Sequence, residues 1–289
     1  MRVGRVAVAV TAALLLVVPT PARATDDVVV FAHRGGAGLA PENTLGAFRQ
    51  TFARFGDRGV WLELDTQLTA DGHLVVLHDD TVDRTTTCSG DLHAFTLAAL
   101  APCDASASFP GWPSFEPIPT LRDVLVEGRA AGWRLMIEIK NIPLEANFDP
   151  LGTEVADELL ALVTETGFPV EDLIVQSFWP LSLDRIERGS PALRTALLTS
   201  SNLPGLARGS GVPAGANMAY SALLGYEIAA PDLRTLDLHP QIVELGHALG
   251  RDVVTWTPNT PGDIARAIAL GIDGVISDRP DLVYASLAP

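Results

Sequence analysis

Between Val28 and Ser277 the chain alternates short β-branched apolar runs with segments of helical period, and no other feature restricts its fold so tightly. Runs that are apolar on both faces and separated by crossover-length helices build a parallel sheet buried beneath those helices. Eight runs read as strands: Val28–Ala32, Val60–Asp65, Leu74–His78, Leu135–Lys140, Leu173–Ser177, Thr195–Leu198, Val253–Trp256 and Gly274–Ser277. The intervening segments carry helix end signals. Asn43 reads as the N-cap of a helix with an apolar stripe of Leu45, Phe48, Phe52 and Phe55, closed by Gly56. Thr120 caps Leu121–Ala131 ahead of Gly132, and Leu151–Thr166 is stopped by Gly167. Further helices run from Pro240 to Gly250 and from Thr260-Pro261 to Gly271, the latter with proline in its first turn. The pattern predicts an α/β fold, a (β/α)8 TIM barrel with a small loop insertion after the third strand. An open doubly wound sheet is the alternative, but Gly35-Gly36-Ala37-Gly38 does not fit G-x-G-x-x-G in register.

Two stretches resist the alternation. Thr85–Pro119, rich in Ser, Pro and Ala, is the insertion, and Ser200–Leu236 is Gly- and Ala-rich and only weakly periodic. At the start of the chain, Arg2 and Arg5 precede an apolar run from Val6 to Val18 and a small-x-small Ala22-Arg23-Ala24. That order predicts a signal peptide over residues 1–24, secretion of the product, and a barrel domain over 25–289. A membrane anchor would need about 20 apolar residues, more than this run supplies, so no stable membrane insertion is expected after cleavage. With 20 Lys and Arg against 35 Asp and Glu, the formal charge of −15 disfavours nucleic acid and anionic membranes as partners. Cys88 and Cys103 are the only cysteines. In an exported chain one disulfide closing a surface loop is the economical reading, and two free thiols the alternative.

Chemistry in a barrel gathers at the C-terminal ends of the strands. There the sequence places His33-Arg34 after the first run, Glu63-Leu64-Asp65 on the second, His78-Asp79 after the third and Glu138-Ile139-Lys140 on the fourth. Alternate strand residues share a face, so Glu63 and Asp65 point one way, as do Glu138 and Lys140. A single strand-end carboxylate is ordinarily a cap or a surface ion pair. Three converging inward repel one another unless a cation neutralises them, and oxygen ligands without cysteine predict a hard divalent ion, calcium ahead of magnesium. Of six histidines, His33 and His78 end apolar strands, where an unpaired imidazole is costly, and both suit acid–base work near neutral pH. Lys140 is the sole lysine in the chain; on a buried strand it is expected to face an anion or the carboxylates.

These residues resemble the glycerophosphodiester phosphodiesterase family. The resemblance runs in order through His33-Arg34-Gly35, Pro41-Glu42-Asn43-Thr44, Glu63-Leu64-Asp65, Thr69-Ala70-Asp71-Gly72, His78-Asp79, Asp83-Arg84-Thr85-Thr86, Ile137-Glu138-Ile139-Lys140, Gln176-Ser177-Phe178, Thr255-Trp256-Thr257 and Ser277-Asp278-Arg279-Pro280. It implies a (β/α)8 barrel hydrolysing small-molecule glycerophosphodiesters, such as glycerophosphocholine or glycerophosphoethanolamine, to sn-glycerol 3-phosphate and an alcohol. It further implies Glu63, Asp65 and Glu138 as metal ligands, His33 and His78 as the acid–base pair, and Arg34 and Lys140 as phosphate anchors. Glu42 would lie near the glycerol or the metal, and Phe178 and Trp256 would wall the pocket. A phospholipase-D-like enzyme acting on lysophospholipids or sphingomyelin is the nearer alternative, and a non-catalytic phosphodiester-binding cell-envelope protein the more distant one.

Overall fold

A computed structural model describes residues 28–143, 145, 147–200 and 221–288. The expected signal peptide and residues 201–220 of the weakly periodic stretch lie outside them. The strands are β1 (Val29–Ala32), β2 (Trp61–Leu68), β3 (Leu74–Val76), β4 (Arg134–Ile139), β5 (Leu173–Ser177), β6 (Arg194–Thr199), β7 (Ile228–Pro231), β8 (Asp252–Trp256) and β9 (Gly274–Ser277). Eight of them pair in parallel in the order β1-β9-β8-β7-β6-β5-β4-β2, and β1 pairs with β2 to close the barrel.

The number of barrel strands agrees with the sequence pattern, but one member differs. Leu74–His78, expected as the third barrel strand, is instead the short β3, antiparallel to the end of β2 through Thr66↔Val76 and Leu68↔Leu74. β2 runs on past Asp65 to Leu68, and the turn through Gly72, at φ +79°, sends the chain back along it. The apolar run is therefore a hairpin over the barrel mouth, and β4 lies directly against β2. The remaining barrel strand is β7, in the stretch without clear period. Its sequence, Ile-Ala-Ala-Pro, has two small residues and a proline with no N–H to donate, so its strand signal is weak.

Two apolar layers hold the fold. Between barrel and helices lie the outward residues of the strands, including Leu62, Leu64, Leu135, Ile137, Val175 and Val275, packed against residues such as Phe48, Leu125 and Leu159. Inside the barrel, one residue from each of the eight strands forms a plug: Phe31, Trp61, Met136, Ile174, Ala196, Ile228, Val254 and Ile276. The helix Leu45–Phe55 begins at Thr44, not at Asn43: the Thr44 hydroxyl accepts from the amide of Ala47 at 3.1 Å. The helix Leu121–Ala131 is capped by Thr120 and ends at Gly132 with φ +73°, as its sequence requires. The insertion has its own small core of Val75, Leu77, Val82, Leu92, Leu100, Ala105 and Ile118, and Cys88 and Cys103 are joined there in a disulfide. No helix among the described residues is long and apolar enough to cross a membrane.

Candidate active site

One step of two residues up from the plug, five of the eight inward positions turn polar. Phe31 gives way to His33, Trp61 to Glu63, Met136 to Glu138, Ile174 to Gln176 and Ile276 to Asp278, while Ala196, Ile228 and Val254 are followed by Leu198, Ala230 and Trp256. Side chains two apart on a strand share a face and stand about 7 Å apart along it, so a polar layer sits directly on the apolar floor. The lower layer excludes water, and the upper one faces the loops.

Glu63 and Asp65 lie on the same face of β2, and Asp65 is the register partner of Glu138 on β4. One oxygen from each of the three buried carboxylates lies within 4.8 Å of the others. Arg34 N donates to Glu63 Oε2 at 2.7 Å and Gln176 Nε2 to Glu63 Oε1 at 2.8 Å. Asn43 Nδ2 donates to Asp65 Oδ2 at 2.9 Å, while Asp65 Oδ1 has no hydrogen-bond partner among the described residues. Burial, with Asp65 adding like charge, pushes the Glu63 carboxyl well above its ordinary range. Burial likewise raises Glu138 to about 7, against the opposing pull of Lys140. Burial also acts to raise Asp65, but His78, Lys140 and Arg34 outweigh it and hold this carboxyl below its ordinary range. Three crowded carboxylates, with Asp65 Oδ1 unpartnered, fit a hard divalent cation, which would offset the burial and like charge that raise the two glutamates.

The two histidines reach this cluster by different routes. β1 ends in a single tight turn, His33–Gly35, in which Arg34 itself has φ +52° and Gly35 and Gly36 have φ +79° and +91°. A side chain on Gly35 would meet the Phe48 ring at 2.7 Å, so glycine is required there on both counts. His33 Nδ1 bonds Asp278 Oδ1 at 2.6 Å, and Asp278 in turn accepts from Asn259. His78 arrives on the hairpin from β3, and its Nδ1 bonds Asp79 Oδ1 at 2.7 Å. Gln67, on the inner face of β2, donates to the carbonyls of Leu77, His78 and Asp79, each at 3.0 Å. In each pair the carboxylate fixes Nδ1 as the protonated nitrogen and leaves the lone pair on Nε2, which at His78 faces Lys140 Nζ.

The cations complete the ring. Lys140 Nζ lies 3.1 Å from Glu138 Oε1 and 3.2 Å from His78 Nε2. Burial acts to lower the Lys140 pKa, but Glu138 and Asp65 raise it above the ordinary value, so the group is a buried ammonium. Burial, assisted by Lys140 and Arg34, holds the His78 imidazole below its ordinary pKa. Arg34 Nη1 donates to Glu42 Oε1 at 3.0 Å, and its Nε lies 3.5 Å from Asp65 Oδ2. The Phe178 and Trp256 rings meet edge to face at 5.6 Å at the ends of β5 and β8. Trp256 is pinned through Nε1 to the carbonyl of Ala230 at 2.9 Å.

The structure thus gathers His33, Arg34, Glu42, Glu63, Asp65, His78, Glu138 and Lys140 at one end of the barrel, with Phe178 and Trp256 at the ends of neighbouring strands. Pattern reasoning took Asn43 for a helix cap and gave no site role to Gln67, Asp79, Gln176, Asn259 or Asp278. Two of them could have been found: Asp278 and Gln176 stand two positions beyond the inward residues Ile276 and Ile174.

Comparison with known proteins follows the same outline. A Bacillus subtilis relative is 33% identical over 257 residues, spanning 88% of this chain and 96% of that one. A glycerophosphodiester phosphodiesterase of Caldanaerobacter subterraneus is 32% identical over 253 residues, 88% of this chain and 95% of that one. The solved structure of an Oleispira antarctica phosphodiesterase in complex with the product sn-glycerol-3-phosphate is similar at a TM-score of 0.74 and 26% identity, covering 90% of this chain and 96% of that one. Residues 33–282, from the first histidine of the cluster to the helix after β9, match the glycerophosphoryl diester phosphodiesterase family, and the chain belongs to that family.

Proposed function

We infer that the protein is an exported, divalent-metal-dependent hydrolase that cleaves glycerophosphodiesters such as glycerophosphocholine to sn-glycerol 3-phosphate and an alcohol. The observation that carries the reading is the cluster itself: three buried carboxylates within 4.8 Å, flanked by two carboxylate-bound histidines, the buried Lys140 and the partly buried Arg34. The Oleispira antarctica phosphodiesterase was solved with sn-glycerol-3-phosphate, which supports a glycerophosphodiester as the substrate of its relative here. Glu63, Asp65 and Glu138 would hold a hard cation, calcium ahead of magnesium, which when bound supplies Lewis-acid polarisation of the phosphodiester.

The chain's own groups do the rest. Arg34 and Lys140 take the phosphodiester oxygens as fixed donors in a water-poor site. His78, held neutral by burial and with its Nδ1 proton engaged by Asp79, takes the proton of the nucleophile, either water or the neighbouring glycerol hydroxyl, once Lys140 turns from its Nε2 to the phosphodiester. His33, oriented by Asp278, delivers a proton to the leaving alkoxide. Phe178 and Trp256 form an apolar wall against which the glycerol and its head group sit. The disulfide between Cys88 and Cys103 supports an oxidising compartment and hence export.

Incubating the protein with glycerophosphocholine and, separately, with lysophosphatidylcholine, and assaying sn-glycerol 3-phosphate and choline, tests the reading. Release of sn-glycerol 3-phosphate from the water-soluble diester, lost on chelation and restored by calcium or magnesium, is expected. Choline released only from the lysolipid would replace the reading with the phospholipase-D-like one, and turnover of neither would sink both.

A further inference from the structure

Arg84, in the Asp83-Arg84-Thr85-Thr86 motif, touches none of the three clustered carboxylates yet is tied to both halves of the site. Its Nε and Nη2 donate to Asp79 at 2.6 and 3.0 Å, and its Nη1 and Nη2 to Glu42 at 2.7 and 2.8 Å. The Asp79 oxygen it shares, Oδ1, is the one that bonds His78 Nδ1 at 2.7 Å. The Glu42 oxygen it shares, Oε1, is the one that receives Arg34 Nη1 at 3.0 Å. One planar guanidinium therefore joins the carboxylate behind the acid–base imidazole to the carboxylate behind a phosphate anchor.

The geometry points to Arg84 as a positioning residue that sets His78 and Arg34 relative to each other. The assignment rests on the roles proposed above for those two groups. An ordinary surface ion pair is the competing account, since about half of the Arg84 side chain is exposed, at 47%, and such pairs contribute little to stability. Two features separate Arg84 from that case. Its partners are the outer contacts of acting groups, and both carboxylates are well covered, with Glu42 only 14% and Asp79 29% exposed. Its backbone is also mounted rigidly. Val82, two residues before it, is fully buried in the small core of the insertion, and Val82 N bonds Gly90 O at 3.0 Å. Thr86, two residues after it, returns its hydroxyl to Val82 O at 2.7 Å. The insertion after β3 thus has a function in the site as the mount that holds this guanidinium over the barrel mouth.

The fork matters chemically. Arginine presents paired N–H groups in a fixed plane and grips two carboxylates at once, whereas the lysine ammonium is a point donor on a flexible stem. Removing Arg84 frees the Asp79 carboxylate to rotate, and with it the His78 ring. It also leaves Glu42 bound to Arg34 alone, which draws that guanidinium off the substrate.

The test is steady-state hydrolysis of glycerophosphocholine, at saturating calcium, by wild type, R84A, R84K, D79A, E42A and the double variants R84A/D79A and R84A/E42A. An exposed bidentate pair elsewhere, Arg49 with Glu127 at 2.6 Å for both bonds, supplies R49A as a control expected to keep wild-type kinetics. R84A is expected to lower kcat/KM by roughly ten- to a hundredfold, the scale on which outer partners orient an acting side chain, while staying folded by circular dichroism. R84K should recover part of the loss. Added to D79A, R84A should raise KM without further loss of kcat; added to E42A, it should lower kcat without further rise in KM. Wild-type kinetics in R84A, or losses that multiply independently of background, would overturn the proposal. An inactive wild type would instead overturn the functional reading beneath it.

Discussion

Asp65 on β2 stands opposite Glu138 on β4 in the parallel register, so two carboxylates enter the barrel interior side by side. With Glu63 one alternate position away on the same face, the arrangement concentrates negative charge where water cannot screen it. Such a site costs stability without a counter-ion, and a bound cation would offset that cost.

That cost has a pH dependence. Glu138, buried and raised to about 7 from an ordinary 4.5, is protonated in the folded state over a window where the unfolded chain has lost the proton. Its folded pKa lies above its unfolded one, so its contribution is present below about 4.5 and is lost as pH rises through about 7. Metal-free Glu138→Gln should therefore gain on metal-free wild type between pH 5 and 8, by on the order of 3 kcal/mol. Denaturant midpoints across that range measure it, and a difference that does not change with pH would contradict the assigned environment. The comparison with the variant cancels His78, whose lowered pKa acts in the opposite direction below pH 6.5.

His33→Ala and His78→Ala should each lower turnover by roughly 10²- to 10⁴-fold, the range for losing an acid–base group, with an unchanged circular dichroism spectrum. Full activity in either variant removes that residue from the proposed chemistry.

Lys140→Met replaces a buried ammonium by an apolar chain of similar length and leaves Glu138 without its ion pair. Turnover of the phosphodiester should fall by about 10²- to 10³-fold, as for loss of a preorganised charge-stabilising donor. If only KM rises, Lys140 serves ground-state binding and not the transition state.

Most of this was legible in the sequence because the barrel repeats one rule. The inward positions of β2 read Trp61, Glu63, Asp65, Gln67, and those of β4 read Met136, Glu138, so the change from plug to site is visible as an apolar residue followed two later by a polar one. The helix from Leu121 to Ala131 has the ends its Thr120 and Gly132 specify, since both signals are local. What escaped was non-local. Leu74–Val76 is as apolar as a barrel strand, and only its antiparallel pairing with the end of β2 makes it a hairpin. β7 owes its place to neighbours on both sides rather than to Ile-Ala-Ala-Pro itself. Asn43 resembled a cap, but at φ +58° its amide is turned onto Asp65, while Thr44 caps the helix. Asp278 and Asp79 became meaningful only when their partner histidines were located in space.

The disulfide offers a test of the insertion as a separate small core. Cys88 and Cys103 are separated by 15 residues, and replacing both by serine should destabilise the insertion by about 3 kcal/mol in the loop-entropy account. Because Arg84 is mounted on that core, turnover should fall before the barrel melts in a thermal ramp. Coincident loss of activity and of barrel structure, at the wild-type temperature, would show that the crosslink holds nothing relevant.

The central claim is that Glu63, Asp65 and Glu138 together bind the ion on which hydrolysis depends. Calorimetric titration of the metal-free protein with calcium at pH 7.5 tests it most directly, with Asp65→Asn titrated alongside. Saturable binding of one ion per chain in wild type, absent from Asp65→Asn over the same range, is the predicted result. Equal binding by both proteins, or none by wild type with either calcium or magnesium while hydrolysis persists, would contradict it.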